Sequence, residues 1–95
     1  MTDGSGLPIR WTISGRVQRV GFRWFVMSQA ERLGVVGWVA NLPDGRVEVV
    51  GKGTAENLQL LEAALRRGPR IARVDHVEKG DFPHDIPIPN SFNIK

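Results

Sequence analysis

The sequence predicts an α+β fold: a ferredoxin-like split βαβ sandwich, ordered β-α-β-β-α-β plus a short edge strand, with an antiparallel sheet and two helices on one face. Three observations predict it. The spacing of apolar residues switches from every second residue to the helical period and back, twice along the chain. Pro43-Asp44-Gly45 lies between the two middle strand segments and is a strong tight-turn signal, so those strands form a hairpin. Each helical segment stands between two strand segments, and right-handed crossovers then put both helices on the same side.

Leu7, Ile9, Trp11 and Ile13 alternate with Pro8, Arg10, Thr12 and Ser14, the period of a strand with one buried face. Gly15 to Gly21 reads as a loop. From Phe22 the period is helical, with Phe22, Phe25, Val26, Gln29, Ala30 and Leu33 on one face and Gly34 as the stop. Val35 to Leu42 reads as the second strand and Arg46 to Val50 as the third, with Val47 and Val49 facing one way. Thr54 is placed to cap a second helix that carries Glu56 in its first turn and Leu58, Leu61 and Leu65 on its inner face, and Gly68-Pro69 ends it. Ile71 to Lys79 reads as the fourth strand. Val74 and Val77 are three apart there, so strict alternation needs a bulge between them. Gly80 to Pro89 holds three prolines and reads as a loop, and Phe92 and Ile94 form a short last edge strand. Trp11 and Trp38 fall at strand positions that suit core packing.

Ninety-five residues, 41% hydrophobic and 24% charged, are enough for one modest core. Residues 1–6 are expected to be a flexible N-terminal tail and residues 7–95 the single domain. No apolar run approaches the ~20 residues of a membrane span. Met1-Thr2-Asp3-Gly4-Ser5-Gly6 carries no basic or hydrophobic targeting signature, so a cytoplasmic location is expected. The absence of Cys excludes a disulfide framework, a thiolate nucleophile and a Cys-ligated metal. An isoelectric point near 10.2 points toward nucleic acid until it is taken apart. Thirteen Lys and Arg against ten Asp and Glu leave only +3, and there is no Tyr or Cys to titrate at mildly alkaline pH. Neutrality waits for lysine, near its own pKa of ~10.4. Only a modest attraction for anions follows.

The most informative stretch is Gly15-Arg16-Val17-Gln18-Arg19-Val20-Gly21-Phe22-Arg23. A loop that leaves a strand and opens a helix points successive backbone N–H groups outward, and such a nest binds a phosphate-like anion. The bland alternative is a plain strand-to-helix connection. No Gly-Lys-Ser/Thr and no Gly-x-Gly-x-x-Gly is present, so neither a nucleotide P-loop nor a dinucleotide site is indicated. Arg23 in the first helical turn opposes the macrodipole by a few tenths of a kcal/mol, at about the scale of a single surface charge. Its place makes sense if an anion lies between it and the amides, where its planar fork grips two phosphoryl oxygens; a solvated arginine is the other reading. Asn41, near the end of the second strand, either caps the hairpin turn or holds and aims a water molecule. His76 and His84 have no clustered partner and read as surface or half-buried histidines. Arg66, Arg67, Arg70 and Arg73 suit the negative end of the second helix as a solvated face. Trp24 falls on the outer face of the first helix, beside the loop, within reach of whatever the anion is attached to.

The chain resembles the acylphosphatase family over residues 7 to 95. The resemblance is carried by Gly15-Arg16-Val17-Gln18 with Val20-Gly21-Phe22-Arg23, then by Gly37-Trp38-Val39-Ala40-Asn41-Leu42-Pro43-Asp44-Gly45-Arg46-Val47-Glu48-Val49. Gly68-Pro69, Ala72-Arg73-Val74 and Phe92-Asn93-Ile94 also fit. It implies the same ferredoxin-like fold and metal-independent hydrolysis of small acyl phosphates, with no cofactor. Arg23 and Asn41 match the family's phosphate-binding arginine and water-positioning asparagine, and Gly15, Arg16, Val17, Gln18, Arg19, Val20 and Gly21 stand where its phosphate-binding loop does. The implied partners are a small acyl phosphate and inorganic phosphate, the latter as product and inhibitor. Neither nucleic acid nor a membrane is expected, and the chain is expected to be a monomer. One departure stands out: the family usually has glycine where this chain has Arg19. If that position needs a positive φ, a non-glycine residue costs on the order of 1 kcal/mol. Strain then tilts the amides, the long side chain intrudes, or Arg19 adds a second cation beside the phosphate. The alternative for the whole chain is a ferredoxin-like binding or regulatory module, for RNA or a phospho-ligand, with weak or no turnover because of Arg19. Against RNA, the aromatics of Arg19-Val20-Gly21-Phe22-Arg23-Trp24-Phe25 lead into a helix rather than along central strands.

Overall fold

The computed structural model of the protein describes residues 6–95; of the expected tail, residues 1–5 lie outside the described residues. The elements in chain order are β1 (Ile9–Arg16), α1 (Phe22–Arg32), β2 (Val36–Asn41), β3 (Val47–Lys52), α2 (Ala55–Arg67), β4 (Arg73–Asp81) and β5 (Phe92–Ile94). They form one sheet in the order β4-β1-β3-β2-β5. The first four strands pair antiparallel, as the hairpin and crossovers require, and β5 adds parallel to β2, so the sheet is mixed. Residues 82–91 connect its opposite edges.

Alternation decides which side chains meet the helices. Trp11 and Ile13 of β1, Val39 of β2, Val47 and Val49 of β3 and Val77 of β4 point to one face and are buried. Phe22, Val26 and Ala30, four residues apart on α1, close over them together with Leu58, Leu61 and Leu65 of α2. Each such large apolar side chain contributes about 1.5–3 kcal/mol when fully buried. Trp38, one residue before Val39, is also buried, but on the face away from the helices. There Phe82 sets its ring edge-on at 5.4 Å, Lys95 Nζ stands 4.1 Å over the indole, and the indole N–H donates to Glu48. The two strand tryptophans therefore serve opposite faces of the sheet.

Several boundaries differ from the sequence reading. Leu7 precedes β1 and is exposed, while Gly15 and Arg16 continue β1 beyond the expected loop start. β3 runs on to Lys52, and β4 starts at Arg73 rather than Ile71 and reaches Asp81. The reason is pairing: β4 is an edge strand whose length follows β1, with Asp81 opposite Ile9 and Arg73 opposite Arg16. Gly80 looks like a loop residue, yet on this exposed edge it needs no side chain to pack. The expected bulge between Val74 and Val77 is present. Ser14 pairs with His76 and Gly15 with Val74, which leaves Asp75 as the extra residue. Gly15 is required there, since its φ is 127° and a Cβ would lie 2.1 Å from the Arg73 carbonyl oxygen.

Candidate active site

The two helix N-termini differ in how their free amides are served. At α2, Thr54 Oγ1 accepts from the Asn57 N–H at 3.0 Å, and Glu56 answers the positive dipole end. At α1 the cap is Gly21, left-handed at φ 76°, with no capping side chain and no acidic residue in the first turn. Phe22 is seated in the core, Arg23 beside it is half-buried and Trp24 is exposed. Arg19 is also left-handed, at φ 64°, with an ordinary residue between it and Gly21. Where right- and left-handed residues alternate, successive N–H groups form an anion-binding concavity.

Gln18 braces this loop. Its side-chain amide donates to the Leu42 carbonyl oxygen at 2.8 Å and to that of Arg46 at 2.9 Å, at both shoulders of the β2–β3 turn. Asp44 accepts from the Arg46 N–H at 3.0 Å within the same turn. The turn is thus held by Gln18 and Asp44, and among the described residues the Asn41 side chain makes no hydrogen bond. Arg23 is held from elsewhere: its Nη1 donates to the Lys95 carbonyl oxygen at 3.1 Å, while the Lys95 N–H donates to Val39 at 2.8 Å. One of five guanidinium donors is used, and the others stay available to a ligand.

Between these groups lies a pocket of about 130 Å³, lined by Val17, Arg19, Gly21, Phe22, Arg23, Trp24 and Asn41. Drug-sized ligands need roughly 300–1,000 Å³, so this space suits a small anion. Two arginines and no carboxylate line it. Of the residues singled out from sequence, the structure gathers Val17, Arg19, Gly21, Arg23 and Asn41. Gly15 and Arg16 lie in β1, Gln18 turns to the hairpin, and Val20 packs against the core. His76 and His84 are exposed, and among the described residues no three His, Asp or Glu side chains gather at metal-binding range. Arg66 pairs with Glu62 and Arg73 with Asp75, while Arg67 and Arg70 are solvent-exposed. The parts that Gln18 and Lys95 play in bracing the site are invisible in sequence, because their partners stand 24, 28 and 72 residues away.

The acylphosphatase family model matches residues 9–94. An acylphosphatase of Nitratidesulfovibrio vulgaris is 50% identical over 86 residues, covering 90% of this chain and 86% of that protein. One of Koribacter versatilis is 53% identical over 86 residues, covering 90% of this chain and 77% of that protein. The crystal structure of acylphosphatase from Bacillus subtilis superposes with a TM-score of 0.88 at 33% identity, over 95% of this chain and 99% of that one. The fold also occurs within a longer protein: full-length HypF matches at a TM-score of 0.84 and 22% identity, over 94% of this chain and 12% of its own. With the family model spanning nearly the whole domain and relatives at half identity, the chain belongs to the acylphosphatase family and is a hydrolase acting on acyl phosphates.

Proposed function

We propose that the protein hydrolyses small acyl phosphates to a carboxylate and inorganic phosphate without a metal ion or cofactor, using loop amides, Arg23 and Asn41. What supports this reading is that Gly21 at the uncapped α1 N-terminus, Arg23 and Asn41 all line one small pocket. The phosphoryl oxygens accept from the amides that follow Arg19 and from Arg23, and Arg19 adds a second cation. Asn41 holds water in line with the scissile bond. As the water oxygen bonds to phosphorus, the bond from phosphorus to the acyl oxygen breaks and its electron pair leaves on the carboxylate. Both water protons end on the phosphate, so a dianionic substrate yields one carboxylate and one dihydrogen phosphate. A carboxylate, with a pKa near 4, leaves without a proton, so the site needs no general acid. The loose transition state asks mainly for charge stabilisation on the phosphoryl oxygens. Preorganised donors of this kind are worth about 3–4 kcal/mol each.

The test is hydrolysis of benzoyl phosphate with and without chelator, beside a phosphate monoester. Turnover should be indifferent to chelator and competitively inhibited by inorganic phosphate, and the monoester should resist because its alkoxide leaves without a proton donor. Loss of turnover in chelator, restored by a divalent ion, overturns the metal-free mechanism. No turnover, with RNA binding that falls steeply with salt, supports the binding module instead. On the proposed reading the protein works as a cytoplasmic monomer with a small-molecule partner, and light scattering at assay concentration checks the monomer.

A further inference from the structure

The chain has three tryptophans, and two are accounted for. Trp11 is buried with its indole N–H on Glu62 at 3.0 Å, and Trp38 is buried under Phe82 and Lys95. Trp24 is 67% exposed, and among the described residues it has neither a ring partner nor a hydrogen bond. An exposed indole adds nothing to an α-helix, where aromatic residues form helix less readily than Ala or Leu. Its place gives it a use: it follows Arg23 in the first turn of α1 and lines the same pocket as Arg23 and Asn41.

We propose that Trp24 is the wall against which the acyl group of the substrate lies, and that it biases the enzyme toward aromatic and larger apolar acyl groups over acetyl. This rests on the acyl-phosphate reading above. A pocket of about 130 Å³ holds the phosphoryl group but little more, so the leaving acyl chain projects out over the rim. In-line attack puts the water and the leaving group on opposite sides of phosphorus, and with Asn41 on the water side the acyl group exits past another part of the rim. Of the apolar side chains that line the pocket, Val17 and Phe22 are buried and Trp24 is exposed. An indole offers a large rigid face with little conformational freedom to lose, and aromatic rings stack on it offset or edge-on.

The experiment measures kcat/KM for benzoyl phosphate and acetyl phosphate with the full chain, Trp24→Ala and Trp24→Phe. The difference in intrinsic reactivity between the two substrates cancels in the comparison of variants. In Trp24→Ala the benzoyl-to-acetyl ratio should fall about fivefold, chiefly through a higher KM for benzoyl phosphate, and Trp24→Phe should recover more than half of it. Inhibition by inorganic phosphate should shift less than about twofold, because the acyl wall does not touch the phosphate. A thermal melt verifies that the variants fold. A ratio that stays within about twofold of the parent overturns the acyl wall. An equal fall for both substrates, with weaker phosphate inhibition, overturns it too, since Trp24 then shapes the phosphate cradle. Absence of turnover of both substrates by the parent chain overturns the hydrolase reading and the wall with it.

Discussion

The Gln18 side-chain amide donates to the Leu42 carbonyl oxygen at 2.8 Å, and through this bond the loop with the left-handed backbone is fixed to the strand end that carries Asn41. The second bond, to Arg46 at 2.9 Å, doubles the brace. Gln18→Ala removes both bonds, while each carbonyl keeps a backbone donor, the Gly45 N–H on Leu42 and the Leu42 N–H on Arg46. Stability should fall by about 1–3 kcal/mol. Turnover should fall further than phosphate affinity, because Asn41, proposed to hold the water, loses its register with the loop while Arg23 does not. Thermal melts beside kcat and phosphate inhibition constants check this. Equal losses in turnover and phosphate affinity would place the brace under the cradle alone.

Arg23 and Asn41 should separate kinetically. Arg23→Ala should lower kcat/KM by about a hundredfold or more and weaken phosphate inhibition, because the charge meets substrate and transition state alike. Asn41→Ala should lower kcat about a hundredfold with phosphate inhibition nearly intact. Since Gln18 and Asp44 already serve the hairpin turn, Asn41→Ala should barely move the melting temperature. A large drop in melting temperature with normal turnover would restore the turn-capping role.

Arg19 adopts the left-handed conformation that glycine takes easily, so the loop keeps its geometry and the strain is borne as lost stability. Arg19→Gly should therefore stabilise the protein by up to about 1 kcal/mol, the conformational relief less the extra freedom of an unfolded glycine. It should also weaken phosphate inhibition about threefold, because Arg19 lines the pocket beside Arg23 and its charge is lost. Arg19→Ala should show the same loss of inhibition without the stabilisation. If Arg19→Gly instead raises turnover, the arginine was obstructing the amides.

Glu62 is held below the ordinary carboxylate value of 4.5, first by the Trp11 indole N–H and then by Arg66 and Lys79, with burial opposing them. A depressed folded pKa stabilises the protein above the unfolded value, and that stability is lost as pH falls through the folded one. Glu62→Gln keeps an acceptor for the indole but removes the charge. The variant should melt below the parent at about pH 7, and the gap should close toward about pH 3. A gap that persists in acid would mean that the geometry of the amide, rather than charge, is at fault.

The sequence by itself determined the order of elements, because that order rests on local causes: apolar periods, the Thr54 cap, the Pro43-Asp44-Gly45 turn and the glycines that end each helix. The core faces of the first and third strands followed from alternation, and the bulge near Val74 from its failure. The loop, Arg23 and Asn41 were legible as candidates from their residue types and place in the chain, and their roles were implied by the resemblance to a family. Only the tertiary structure decided the rest. That Trp38 packs away from the helices, that Gly15 and Arg16 extend β1 beside an edge strand, and that β5 lies parallel to β2 depend on which strands become neighbours. That Gln18 grips the hairpin and the Lys95 carbonyl holds Arg23 depends on contacts across 24 and 72 residues of chain. The physical reason is range: periodicity and caps act within a few residues, whereas a hydrogen bond between distant segments exists only once packing has brought them together.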